Sequence, residues 1–318
     1  MAVEMSRFER NGYVVRMRRV CAAGRMRCPD GRCLFRVQDN PLLRADEGTF
    51  VSVPEGGCAL TGRFGPEGFF AAPCAASGEA AEALLRAVLE RQRAWGAARV
   101  TGPVSPSIVD FSVGAALGEP ERASAFSEWL PSFFGPALAR LGFSVCRRSI
   151  LYEMGEACDR TRYERVAAYS MARFGYRVAS ARDLGDRAAC EAMAHVSRDD
   201  PAMARTDAQM AALLSALGRR WSRPMTQIAL HGGEPVGYLL AVRAGQTARA
   251  ATAQVRRGWR NRAVTAALAL AMLRAARGLR AEFGVVGEDN AASRFSLERA
   301  GARPTAYFQQ FSLKLTEK

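Results

Sequence analysis

The sequence predicts an α/β protein made of two related units. Three observations predict it. The stretch from Thr252 to Ala302 runs as a short strand, an Arg/Gly turn, an apolar helix, a second strand ending at Val286, a polar turn, and a helix stopped by Gly301. A similar order occurs earlier. Ala137-Leu138-Ala139-Arg140-Leu141-Gly142-Phe143 parallels Ser296-Leu297-Glu298-Arg299-Ala300-Gly301-Ala302, and each is followed by a strand, ending Leu151-Tyr152-Glu153 and Ser312-Leu313-Lys314 respectively. Finally, a chain of 318 residues, 49% of them hydrophobic, is long enough for two buried cores.

The first unit is strand-rich at its start. Tyr13 to Val20 reads as a strand and Leu34 to Val37 as a shorter one, ended by Asp39-Asn40-Pro41. Phe50 to Val53 and Cys58 to Phe64 flank Pro54-Glu55-Gly56-Gly57, which has hairpin-turn chemistry, and Phe69 to Ala72 is a further strand. Ser77 reads as a helix N-cap, with Glu79 and Glu82 beside the positive end of the helix dipole. Leu84, Leu85, Val88, Leu89 and Trp95 share one face of that helix, and Gly96 closes it. Arg99 to Thr101 begins a strand that runs into Gly102-Pro103, and a turn-rich loop continues through Gly118-Glu119-Pro120. A short helix, Phe133 to Leu141, ends at Gly142-Phe143, and Ser149 to Met154 closes the unit. The pattern places the first domain at 1–154, a polar linker at 155–162 and the second domain at 163–318.

The second unit opens with a helix from Tyr163 to Phe174 and a strand from Arg177 to Ser180. Asp186 to His195 and Asp207 to Leu217 are helical by pattern. Thr226 to Leu230 and Val236 to Val242 pair across His231-Gly232-Gly233-Glu234-Pro235, and Arg249 to Val255 leads into the Arg/Gly turn. Val264 to Ala276 is apolar almost all round, the pattern of a buried helix, with Gly278 as its stop. The turn in front of that helix is the physical recipe for an anion site, because the first amides of a helix have no partners within it and its dipole is positive there.

The formal net charge is +14, and Lys314 and Lys318 are the only lysines. Arginine with abundant alanine is the signature of codon bias, so a basic balance alone does not call for nucleic acid, and a small polyanion is an adequate partner for local positive charge. The N-terminus has scattered charges and no apolar segment of the secretory kind, and Ala263 to Leu273 is too short to span a bilayer. A soluble, cytoplasmic protein is the expectation. Of the eight cysteines, Cys21, Cys28 and Cys33 cluster, yet a zinc site asks for tighter pairs and more ligands, so reduced structural thiols and no metal are expected.

The residues of the turn resemble the GCN5-related N-acetyltransferase (GNAT) superfamily, whose pyrophosphate loop reads V-x-P-x-x-R-x-x-G-x-G/A. The matching run is Val255-Arg256-Arg257-Gly258-Trp259-Arg260-Asn261-Arg262-Ala263-Val264-Thr265, in which Arg257 stands for the proline and Ala263 and Thr265 for the small residues. The later signature is met by Asn290, Ser293, Arg294, Glu298 and Gly301, with Leu297 and Ala302 where Tyr and Phe are usual. The whole chain also resembles a bacterial group of tandem GNAT-like proteins, through Gly102-Pro103-Val104-Ser105-Pro106-Ser107-Ile108-Val109-Asp110-Phe111, Asn40-Pro41, Glu288-Asp289-Asn290 and Gly301-Ala302. The resemblance implies two GNAT-like domains, each a mixed twisted sheet flanked by helices. It implies acetyl-CoA or a longer acyl-CoA as co-substrate, met by Val255, Arg257, Arg260, Asn261, Arg262, Ala263, Val264, Thr265 and Asn290. The first domain, with Ala72-Pro73-Cys74 where an Arg/Gly turn is needed, is expected to bind no cofactor and to shape the acceptor pocket, in part through the Gly102 to Asp110 loop.

Acyl transfer from a thioester to an amine also needs a group to take the ammonium proton and one to stabilise or protonate what leaves. The strand before the turn offers Thr252 and Gln254 and no carboxylate, so a base comes from elsewhere: Asp199, Asp200 and Asp110 are candidates, with His195 nearby. Tyr238 and Tyr307 are candidates for the missing acid tyrosine. Cys190 and Cys146 have no arranged base. Three functions stay open: an N-acyltransferase acting on a small-molecule amine or amino-acid-like acceptor, a catalytically weak or inactive GNAT-fold binding protein, and an aminoacyl-tRNA-dependent transferase. A V-shaped split beside Arg260 is the expected mark of the first.

Overall fold

A computed structural model describes residues 47–104, 114–117, 129–154, 160–201 and 204–315. The expected strands Tyr13 to Val20 and Leu34 to Val37, the cysteine cluster, Asn40-Pro41 and Asp110 lie outside them. The chain divides into two compact units. Unit 1 takes the residues up to Ile150, with Gly287–Asp289 and the chain from Thr305 onward; unit 2 takes Leu151–Val286 and Asn290–Pro304.

Unit 1 opens with an antiparallel meander: β1 (Glu47–Val53), β2 (Gly57–Phe64) and β3 (Glu67–Ala75). Val53 pairs with Gly57 across the expected Pro/Gly turn, where Gly56 takes φ +90°, a conformation that favours glycine. Helix α1 (Gly78–Ala94) follows, with the Ala80 amide donating to the Ser77 hydroxyl at 3.2 Å. Its buried face carries Leu84, Leu85, Val88 and Leu89 as its period predicts. Trp95 is only partly covered at the C-cap, and the buried residue in the last turn is Gln92. A charge-free amide can enter the core because its Nε2 donates to the Thr61 hydroxyl and to the carbonyls of Gly62 and Phe69.

β4 (Arg99–Val104) runs parallel to β3, as a crossover through a helix requires. Two residue-pair strands, β5 (Ala116–Leu117) and β6 (Trp129–Leu130), pair in parallel. Helix α2 (Phe134–Arg140) packs on α1 and leads to β7 (Ser144–Met154), which is longer than the sequence pattern suggests; its residues from Leu151 on belong to unit 2.

Unit 2 begins with α3 (Arg160–Phe174), which starts inside the stretch expected to be linker, followed by β8 (Tyr176–Ser180), α4 (Ala181–Leu184), α5 (Asp186–Ser197) and α6 (Asp207–Leu217). Ser180 and Thr206 each form a capping box at the start of α4 and α6. β9 (Gln227–His231) and β10 (Glu234–Ala244) form a hairpin with a two-residue turn. Gly232 and Gly233 supply the two positive φ values that such a turn demands. β11 (Thr247–Val255), α7 (Val264–Ala275), β12 (Arg280–Gly287) and α8 (Ala291–Arg299) complete the unit. The sheet order is β8-β9-β10-β11-β12, antiparallel until the final, parallel pair. Val264, Leu268, Met272 and Leu273 of α7 are buried, as its apolar pattern predicts.

The last strand, β13 (Ala302–Lys314), departs from the linear order. Sequence pattern assigns 163–318 to the second domain, but Phe311–Lys314 pair with Gly102–Arg99 of β4, and Phe311 and Leu315 enter the unit 1 core beside Phe70, Leu84 and Leu138. The edge of β4 is satisfied by the far end of the chain. Each unit is thus a mixed sheet flanked by helices.

Candidate functional site

β11 and β12 are paired only at their start, Thr247–Arg249 against Arg280–Glu282; among the described residues the register goes no further, although the strands continue to Val255 and Gly287. The strands therefore splay. At the root of the split, Arg249 and Glu282 are both fully buried and joined at 2.7 and 2.8 Å. Two charges out of water hold together only through such geometry. Arg280 links the same root to Glu153 at 2.8 Å.

The mouth of the split is formed by the basic turn. After Val255 the chain makes one 3-10 turn, Arg257–Trp259, and enters α7 through Asn261 (φ +62°) and Ala263 (φ +49°, ψ +22°). Left-handed residues alternating with right-handed or extended ones turn successive amides toward one side, the geometry of an anion-binding nest. No side chain caps α7, in contrast to α1, whose N-terminus is occupied by its own Ser77 and flanked by Glu79. The first amides of α7 are therefore left for an external acceptor.

The four arginines of the turn have different tasks. The Arg262 guanidinium lies 4.7 Å from the Trp259 ring centre and 5.1 Å from that of Phe174, so it braces the turn by cation–π contact. The Ser170 and Tyr176 hydroxyls donate to the Arg262 carbonyl, and Tyr176 and His231 pack on Trp259. Arg256 faces Asp199 at 3.6 Å. Arg257 and Arg260 are exposed and, among the described residues, their guanidiniums form no ion pair.

The sequence candidates separate. Asp199 reaches the turn: its Oδ2 accepts the Arg257 amide at 3.0 Å as well as facing Arg256. Val255, Arg257, Arg260, Asn261, Arg262, Ala263, Val264 and Thr265 are gathered at the mouth. Asn290 caps α8, its Oδ1 accepting the Ser293 amide at 3.1 Å. Tyr238 is fully buried and donates to Gln254 Oε1 at 2.9 Å, and burial pushes its pKa up to about 12. It stays protonated at ordinary pH, so it can hold or give a proton but not take one. Tyr307 is 62% exposed and belongs to unit 1. Burial, helped by Asp207 and Glu191, pushes the Cys190 thiol up, which suits a structural thiol. Sequence reasoning missed the Arg249–Glu282 pair and the Tyr238–Gln254 bond. The signal for the pair is a charged residue set singly between apolar neighbours on each of two strands.

No family model and no curated protein matches this chain. Solved structures do. A tandem GNAT protein from the clavulanic acid biosynthesis pathway superposes with a TM-score of 0.62 over 98% of this chain and 96% of its own, at 15% identity. The chain has a tandem GNAT fold. A GCN5-related N-acetyltransferase from Sphaerobacter thermophilus gives a TM-score of 0.54, at 15% identity, over 95% of this chain and 91% of that one. The GCN5-related glucosamine N-acetyltransferase region of a fungal multi-domain GH3 β-N-acetylglucosaminidase gives 0.58, at 12% identity, over 96% of this chain and 37% of that protein.

Proposed function

We propose that unit 2 binds an acyl-CoA at the turn before α7 and transfers its acyl group to an amine. The observation that carries this reading is the uncapped N-terminus of α7, entered through two left-handed residues at the mouth of the split. The pyrophosphate would take the first α7 amides, with Arg257 and Arg260 supplying charge. The edge of β11 that faces β12, free of strand pairing beyond Arg249, offers backbone groups to the amides of the pantetheine arm. The amine attacks the thioester carbonyl, the C–S bond breaks, and the ammonium proton passes to solvent or the leaving thiolate. β11 carries no carboxylate, so the chain would act mainly by positioning the reactants. The N-terminus of α1 in unit 1, by contrast, is filled by Ser77 and flanked by Glu79. The N-acetyltransferases among the structural neighbours are compatible with this chemistry, though a shared fold does not fix the reaction.

One contact favours a second reading, a protein with the fold and little turnover. Asp199 already sits on the Arg257 amide, so an incoming phosphate must either avoid that carboxylate or displace it.

Thermal unfolding with CoA, acetyl-CoA and a long-chain acyl-CoA tests the proposal. A ligand at 100 times its dissociation constant should stabilise the protein by about 2.7 kcal/mol, and Arg260→Ala should remove most of that effect. Stabilisation by none of the three thiols and thioesters at saturating concentration would overturn the acyl-CoA reading.

A further inference from the structure

A cavity of about 870 Å³ lies within unit 2, away from the basic turn. It is lined by the first half of α5, whereas Asp199, which touches the turn, follows the other end of that helix. Its inner wall is Cys190, Leu214 and Trp221, each buried, and its outer wall is Ala208, Ala211 and Ser215 of α6. The exposed α6 residues on this wall are short and leave the cavity open on that side. Trp221 is held by its Nε1, which donates to the Thr226 hydroxyl, and the guanidinium of Arg223, another lining residue, lies 4.4 Å from its ring centre. A volume of this size with apolar walls is typical of a small-molecule site.

The charges on its rim define what it can take. Asp186 accepts both Arg223 Nε and Nη2 at 2.6 Å, Glu191 accepts Arg187 at 2.8 Å, and Asp207 accepts Arg198 at 3.2 Å. Every carboxylate of the rim is neutralised. Arg219, on the turn after α6, is exposed, and among the described residues its guanidinium forms no ion pair. With Asp207 held by Arg198 from outside the lining, Arg219 is the guanidinium of the rim that forms no ion pair among the described residues, and its planar fork matches one carboxylate. A dianionic phosphate would find only this one cation, without an ion pair of its own, to balance its two charges.

We propose that this cavity is a second ligand site, for a carboxylate carried on an apolar body, with Arg219 holding the carboxylate and Cys190, Leu214 and Trp221 the body. The proposal is independent of the acyl-CoA reading, since no residue of the turn lines the cavity.

Isothermal titration of the full chain with 1-naphthoate, and with 1-naphthylmethanol and 1-naphthylmethylamine as neutral and cationic matches, tests it. Naphthoate should bind at a single site and the amine at least tenfold more weakly. Arg219→Glu should weaken naphthoate about tenfold, the effect of reversing one charge-assisted contact, while leaving the alcohol nearly unchanged. Ala211→Trp or Ser215→Trp, at exposed positions where a large side chain should not disturb folding, should fill the space and abolish binding of all three. Naphthoate that does not saturate, an amine that binds as tightly, binding that survives both tryptophan variants, or binding lost in Arg260→Ala would each overturn the proposal.

Discussion

Arg249 and Glu282 show how much can rest on two side chains. Both have no exposed surface, and they meet where β11 and β12 stop pairing. Removing one partner leaves a charge in a place that water does not reach. Glu282→Ala should therefore destabilise the protein by about 3–5 kcal/mol, whereas replacing both, Arg249→Met with Glu282→Leu, should recover most of the loss. Urea unfolding monitored by circular dichroism measures both. A single variant within 1 kcal/mol of the parent would show that the pair is not what holds the root together. At this scale the sequence was only partly legible. The apolar core positions of α1 and α7 follow from their spacing. The buried polar residues Gln92, Tyr238, Arg249 and Glu282 do not, because what allows each into the core is a partner far away in the chain, such as Thr61 for Gln92.

Among the elements, α1 and α7 make an informative pair. Each connects two parallel strands, and each could present amides at its N-terminus, but α1 fills that place with Ser77 while α7 leaves it open. The difference is readable in the sequence, since Ser-Gly-Glu announces a self-capped helix and Arg-Asn-Arg-Ala does not. The left-handed entry is less readable, because Asn tolerates that conformation and Ala does not. Ala263 at φ +49° carries a backbone cost of roughly 1–2 kcal/mol that glycine avoids. Ala263→Gly should accordingly stabilise the fold by up to about 1 kcal/mol after the added freedom of the unfolded chain is set against it. The rise in melting temperature would be a few degrees. A fall would mean that the Ala263 methyl group makes contacts worth more than the strain. Asp199 illustrates the other limit: as a loop carboxylate it reads as a candidate base, and only the fold shows its oxygen on the Arg257 amide.

The whole molecule is where the linear reading fails. The repeat is visible, and so are the strand–helix–strand orders of both units. What cannot be seen is that the closing strand of the chain pairs with β4, some 200 residues earlier, because a period-two apolar pattern fits any open edge of suitable length. A chain ending at Pro304 loses Phe308, Phe311 and Leu315 from buried positions, at about 1.5–3 kcal/mol each, together with the β4 pairing. That sum is comparable with the entire stability of a typical domain. Such a truncated chain should lose the cooperative unfolding transition of unit 1, and adding the peptide of residues 302–318 in trans should restore part of it. A truncated chain with two intact transitions would show that β13 is dispensable.

The same pairing has a consequence for synthesis. When the ribosome has finished β4 and β7, the partner that covers the β4 edge does not yet exist. At ordinary elongation rates, roughly ten to thirty seconds pass before β13 emerges. For that interval a nascent strand edge with Val100 and the Phe70 cluster behind it is open to any other strand. The order of residues along the chain thus makes the first unit to be translated the last to be completed, and makes the growing polypeptide a natural client for chaperones that shield unpaired strands.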